Sequence, residues 1–147
     1  MRQLIKQRIK NEKGLTLIEL LAVIVILGII AAIAIPSISG IIQKSKEDAV
    51  KADAITILNA AKNYVAGNDM ATGGTITEDD LSSYVSGVNL QEFGEYTVTV
   101  GEGGTTFGLN ASKVTAGKIE ITFNSATIDQ INKSKKGQTT IPNGAGS

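Results

Sequence analysis

The hydrophobic pattern of this chain begins with a short polar stretch and then becomes apolar almost without interruption. Residues 15–35 hold 21 positions, and only Thr16 and Glu19 among them are polar. A run of about 20 apolar residues is long enough to cross a bilayer as a helix. Beyond it the pattern changes period. Val50, Ala54, Ile57, Leu58, Ala61, Tyr64 and Val65 recur at helical spacing, with Lys51, Asp53, Asn59 and Lys62 between them. Such a helix has one apolar stripe, and the stripe predicts a partner surface. Gly67 followed by Asn68 predicts the stop. A helix over residues 15–66 would be on the order of 75–80 Å long at 1.5 Å per residue. Globular helices rarely exceed about 20 residues, so one half is expected in an apolar medium and the other against its own domain.

Further along, Thr77 before Glu78, Asp79 and Asp80 predicts a helix start with carboxylates in its first turn. Leu81, Tyr84 and Val85 give it a short apolar face. The period then becomes two. Tyr96, Val98 and Val100 alternate with Glu95, Thr97 and Thr99, and a glycine-rich turn follows at 101–104. Phe107 and Leu109 come next, and Ile119, Ile121 and Phe123 alternate with Lys118, Glu120 and Thr122. Three half-buried antiparallel strands are expected. Residues 124–131 fit neither period. Residues 132–147 are polar and predict a mobile or weakly packed tail. The expected fold class is α+β: a long N-terminal helix packed on a small antiparallel sheet, each covering the other's apolar face. The expected segments are a basic leader (1–14), a transmembrane helix (15–40), its amphipathic half (41–66) and a β-rich domain with its tail (67–147).

Charge sharpens this division. The whole chain carries 14 Lys/Arg and 14 Asp/Glu over 147 residues. Residues 1–14 hold Arg2, Lys6, Arg8, Lys10 and Lys13 against Glu12, a net of 5 − 1 = +4. The remainder has nine Lys, no Arg and 13 acids, a net of −4, a composition poorly suited to bulk phosphate binding. The basic residues precede the apolar run, which predicts a cytoplasmic N-terminus and an external C-terminal domain. On the far side Lys44 and Lys46 are balanced by Glu47 and Asp48. There is no Cys and no His, so disulfides, thiolate chemistry and His-ligated metals are excluded. No catalytic constellation, phosphate loop or calcium-loop spacing is visible, and no enzyme, metal or cofactor is expected. Asp79 and Asp80 are accounted for by the helix start. Lys133, Lys135 and Lys136 read as a solvated tail or as a contact for an anionic polymer such as nucleic acid. Asn110-Ala-Ser112 and Asn132-Lys-Ser134 match the Asn-glycosylation pattern, which often arises by chance. The few aromatic residues are placed for core packing.

The informative stretch is Lys13-Gly14-Leu15-Thr16-Leu17-Ile18-Glu19-Leu20-Leu21. A basic leader ending in Lys-Gly, an apolar residue, Thr-Leu-Ile-Glu-Leu and then an apolar helix closely resemble the class III signal of type IV pilins and related pseudopilins. The resemblance in motif covers residues 8–36; beyond them only the architecture agrees. It implies cleavage between Gly14 and Leu15 by a membrane-embedded prepilin peptidase, and N-methylation of Leu15. It makes Glu19 the fifth residue of the mature chain, the position this family fills with Glu. Many members begin with Phe, and this chain has Leu there. The lack of Cys departs from the many Gram-negative pilins that close a C-terminal loop with a disulfide, and fits a Gram-positive-like major pilin or another cysteine-poor source. The resemblance further implies a homopolymeric helical filament outside the cell, a single-pass precursor in the cytoplasmic membrane, an assembly ATPase and a platform protein.

Physical chemistry supports the role implied for Glu19. A carboxylate in a membrane helix costs a few kcal/mol, and residues 15–35 contain no Lys, Arg or His. After cleavage the α-amine of Leu15 becomes the available cation, with an ordinary pKa of about 8. Pairing with a neighbour's amine would set the register of an incoming subunit. Gly28 and Pro36 weaken a helix. The resemblance implies that the stretch between them extends on packing; a continuous helix with a proline kink is the alternative. Gly28 and Ala32 form a small-xxx-small pair that allows close helix approach. Three other readings remain. Ala32-Ile33-Ala34 matches an ordinary signal-peptidase site, but leaves Lys13-Gly14 unexplained. A pseudopilin of a type II secretion or competence system shares the motif. A membrane-anchored binding module that never polymerises shares the anchor.

Overall fold

The computed structural model describes residues 2–68 and 73–142, with side chains from Thr16 onward, Leu90 excepted. The chain divides into two compact units, Met1–Ile41 and Ile42–Ser147. Helix α1 (Arg2–Asn68) supplies all the regular structure of the first unit and opens the second. It passes through Gly28 and Pro36 without leaving helical geometry, and the expected stop at Gly67-Asn68 falls at the edge of the described residues.

In the second unit the remainder of α1 lies on a five-stranded sheet of order β1-β2-β3-β4-β5. The strands are β1 (Gly74–Thr77), β2 (Tyr96–Val100), β3 (Phe107–Ala116), β4 (Ile119–Ala126) and β5 (Thr140–Ile141). The first four pair antiparallel, and β5 joins β4 in parallel. The helical stripe is buried as its spacing requires: Val50, Ala54, Ile57, Leu58 and Ala61 are covered, and Tyr64 and Val65 pack at the margin. They meet Tyr96, Val98 and Val100 of β2, Leu109 and Val114 of β3, and Ile121 and Phe123 of β4 in one apolar core. A short helix, α3 (Leu90–Phe93), adds Phe93, which stacks on Phe123 at 5.7 Å and meets Tyr96 edge-on at 6.0 Å.

The expected helix start at Thr77 is α2 (Glu78–Leu81). The Asp80 carboxylate accepts both the Thr77 N–H at 2.9 Å and the Thr77 hydroxyl at 2.7 Å. These bonds favour the charged carboxylate and hold its pKa below the ordinary value. The ambiguous 124–131 stretch resolves into the end of β4 and the start of α4 (Ile128–Lys133). Thr127 and Gln130 form its reciprocal capping box. The weakly packed tail expected over 132–147 is corrected as far as Pro142. Ile141 is fully buried and β5 pairs with Thr122 and Phe123; residues 143–147 lie outside the described residues.

β3 and β4 carry two bulges. Leu109 faces Ala126, Ala111 faces Phe123 and Val114 faces Ile121, so β4 holds one extra residue and then β3 holds one. Within those two intervals Ser125 and Lys113 take φ of 49° and 58°, the left-handed backbone that bulges use. Asn110 secures the first bulge. Its Oδ1 accepts the Ser125 N–H at 2.8 Å, and its Nδ2 donates to Thr99 Oγ1 at 2.9 Å. Both ends of the amide are engaged, so the Asn-x-Ser match at 110–112 has a structural explanation. The bulge also brings Ser125 backbone against Gly108, where a Cβ would stand 3.0 Å from both Cα and O of Ser125.

One polar cluster lies beneath this apolar layer. Glu47 is 2% exposed and sits on the same helical face as Val50. Its carboxylate accepts the Gly137 N–H at 2.8 Å and the Gln43 amide at 3.0 Å. Gln43 Nε2 also donates to Ala116 O at 2.8 Å, and Gln43 Oε1 accepts the Lys118 N–H at 2.9 Å. Two side chains one helical turn apart therefore hold both the β3–β4 turn and the loop before β5. Burial alone would raise the Glu47 pKa. The Gly137 and Gln43 hydrogen bonds, with Lys51 and Lys136 nearby, outweigh it and hold the carboxyl below 4.5.

Two outcomes are expected from this packing. Gly108→Ala, whose methyl meets backbone, should destabilise the protein by about 1–3 kcal/mol, read as a lower denaturant midpoint; an unchanged midpoint would show that the strand pair yields. Glu47 has a folded-state pKa below its ordinary 4.5, so its contribution is complete above that value and is lost as the pH falls through the folded one. Glu47→Gln should cost on the order of 1 kcal/mol at neutral pH and should flatten the acid limb of the stability–pH curve. Parallel acid limbs for the two proteins would remove Glu47 from the account.

Candidate functional site: the uncovered apolar helix

From Leu17 to Ile42 every Leu, Ile and Val side chain is at least 51% exposed. This helix is long and apolar enough to cross a membrane, and none of its apolar stretch is buried within the chain. Its apolar residues surround the helix, with no stripe to turn toward a domain. Soluble monomers rarely expose contiguous apolar patches beyond a few hundred Å². A helix that is apolar all round requires lipid or other protein helices as its surroundings. This surface is the main candidate for function.

The residues singled out from sequence lie along it. Glu19 is helical and exposed, four residues on from Leu15. Gly14 and Leu15 fall outside the residues whose side chains are described, so their geometry with Glu19 stays an expectation. Gly28 is open: a Cβ there would meet nothing within 4 Å, leaving its flank free for a close helix neighbour. Pro36 lies inside the helix. It has no N–H for the Ala32 carbonyl, and its own carbonyl accepts Ser39 Oγ at 2.9 Å. Among the described residues no group of three or more Asp, Glu, His or Cys could hold a metal ion.

Gln43 and Glu47 are what sequence reasoning missed. Counted along the chain, Glu47 and Asp48 balance Lys44 and Lys46. The helical period nevertheless places it three residues before Val50, on the buried stripe, and a carboxylate there signals a polar partner across the interface.

Residues 9–35 match the family model described as the prokaryotic N-terminal methylation motif. A type IV major fimbrial protein FimA of Dichelobacter nodosus is 32% identical over 123 residues, covering 80% of this chain and 71% of the relative. Another FimA from that organism is 33% identical over 128 residues, covering 83% and 73%. The type II secretion system core protein G of Aeromonas hydrophila is 33% identical over only 60 residues, 41% of this chain and 42% of that one. No solved structure matches. With a methylation motif leading into an uncovered apolar helix, and fimbrial relatives aligned across most of its length, the chain belongs to the type IV pilin family.

Proposed function

We propose that this pilin is made as a single-pass precursor, cut between Gly14 and Leu15, methylated on Leu15 and polymerised through its N-terminal helix into an extracellular pilus. The observation that carries the reading is the coincidence of the methylation motif at 9–35 with a helix whose apolar side chains find no cover within the chain. Lipid provides that cover before assembly, and neighbouring helices provide it afterwards. The basic leader stays on the cytoplasmic side, where the prepilin peptidase acts; a platform protein and an assembly ATPase then move subunits from bilayer to filament. The part described as 15–40 is the transmembrane and filament-core segment, 41–66 the half that carries the globular domain.

Within this scheme Glu19 is the assembly residue. In an apolar surrounding its carboxylate is unfavourable by a few kcal/mol unless paired. The methylated amine of Leu15 on a neighbouring subunit is the cation at the right depth, and the pair fixes register. Gly28 and Pro36 bracket a stretch that extends as subunits pack, since Pro36 already leaves one carbonyl without its helical donor. Faster amide exchange over 28–36 in filaments than in the detergent-held subunit is expected; slower exchange would favour a continuous helix.

A second reading, a pseudopilin of a secretion system, draws on the similarity to core protein G. The fimbrial relatives cover about twice as much of the chain, which favours the pilus. N-terminal sequencing and intact mass of material sheared from cells should give a chain beginning at methylated Leu15 in long filaments. A chain beginning at Ile35 or still carrying Met1 would reject the processing scheme. Glu19→Ala should leave membrane levels of the subunit intact and reduce surface filament to background; normal filament yield from that variant would remove Glu19 from assembly.

A further inference from the structure

We infer that the end of the second unit at which its helix begins is a lysine-rich collar that binds the phosphate headgroups of anionic phospholipid in the bilayer holding the precursor. The inference rests on the membrane-anchored reading proposed above. Its starting point is the polar cluster around Gln43 and Glu47, which gathers lysines from three separate parts of the chain. Lys44 and Lys46 flank it on α1. Gln43 holds Ala116 and Lys118 at 2.8 and 2.9 Å, which fixes the β3–β4 turn and Lys118 beside them. The Lys46 stem lies along that turn, where a Cβ on Gly117 would come within 2.8 Å of its Cδ. Glu47 holds Gly137 at 2.8 Å, and Lys51 Nζ reaches Ser134 O at 3.4 Å. Those contacts bring Lys135 and Lys136 to the same end.

Lys44, Lys46, Lys118 and Lys135 are exposed. The exposed acids of these segments are Asp48 and Glu120, while Glu47 is buried and engaged. The placement identifies the occupant. Lys44 stands two residues past Ile42, the last exposed Leu, Ile or Val of the helix, which is about 3 Å along the axis. Clustered lysines within a Debye length of a bilayer surface are attracted to anionic headgroups of the leaflet they face, which is the outer one in the orientation proposed above. Long lysine stems also let ammonium groups reach phosphates while their methylenes stay against apolar surface. The lipid grip holds the domain against the membrane until assembly withdraws the helix, and Glu47 acts as a positioning residue by fixing the loop that carries Lys135.

A second copy is the competing source of negative charge. Residues 63–112 hold Asp69, Glu78, Asp79, Asp80, Glu92, Glu95 and Glu102 and no Lys or Arg. Contact between copies is therefore an outcome that the test must separate.

The test places the full chain in nanodiscs of phosphatidylcholine alone and of an equal mixture with phosphatidylglycerol, at one copy per disc, and follows lysine acylation site by site. Lys44, Lys46, Lys118 and Lys135 should label roughly fivefold more slowly in the anionic discs, and added salt should abolish the difference. Lys62, sixteen residues beyond Lys46 and about 24 Å along the helix, should label equally in both. In a Lys118→Gln, Lys135→Gln variant, the lipid-dependent slowing at Lys46 should shrink. Undiminished slowing there would assign the protection to helix depth and overturn the collar. Equal labelling in both discs would also overturn it, while leaving the anchor intact. Protection that appears only when several copies share a disc, whatever the lipid, would assign the lysines to the acidic half of a neighbour. A chain that enters neither disc would overturn the anchored reading and the collar together.

Discussion

One helix has to satisfy two surroundings, and that requirement governs the rest of the structure. From Leu17 to Ile42 its apolar residues face every direction, and none of the described residues buries them. From Val50 to Ala61 the stripe lies on one side and is buried against the domain, and Tyr64 and Val65 are half-covered at its margin. A single stripe buried against β2, β3 and β4 provides a domain with a core of its own. The uncovered part then has no intramolecular solution. Its surroundings must come from lipid or from other copies, and the family to which the chain belongs provides a reason for both.

The transition between the two regimes is where side-chain detail matters most. Gln43 and Glu47 occupy it, and they bind backbone where apolar residues would only pack. Their targets are a hairpin turn and a loop, both with peptide groups that sheet pairing leaves unmatched. The two side chains accept the Lys118 N–H and the Gly137 N–H and so fix the hairpin and the loop to the helix. The bulged β3–β4 pair follows the same rule at another place. There Asn110 satisfies the displaced Ser125 N–H, and Gly108 gives the bulge the space it needs.

Legibility in the sequence followed regularity. The helical stripe and the alternating strands β2 and β4 were readable because each repeats one period against one buried face, and the α2 start was readable from Thr77 and the carboxylates that follow it. β3 was readable only at Phe107 and Leu109. Its later half loses alternation where the bulge at Lys113 shifts the register between Ala111 and Val114, so a period-two reading fails for a physical reason. β1 and β5 are too short to establish a period, and β5 exists through its parallel pairing with β4 and the burial of one residue, Ile141. α4 carried its signal in Thr127 and Gln130, a capping box hidden in a stretch with little hydrophobic contrast. The uncovered apolar helix was the most legible part of all, since its composition alone excludes water as its permanent surroundings. The motif at its start was readable from residue order, which geometry cannot replace.

Glu47 shows why charge counted along a sequence differs from charge presented by a fold. In the chain it adjoins Asp48 and faces Lys44 and Lys46 as one of two balancing acids. In the structure its carboxylate points into the domain, and its pKa is held down by Gly137, Gln43 and the nearby Lys51 and Lys136. An apolar residue at 47 would extend the stripe by one turn and pack as well, and replacing buried charges by apolar groups is often neutral for stability. It would also release the Gly137 loop from the helix and let the lysines of that loop move apart from those of α1. The value of a carboxylate at this position therefore lies in placement: it fixes where three distant pieces of chain, and the charges on them, meet at the point where the helix leaves its apolar surroundings.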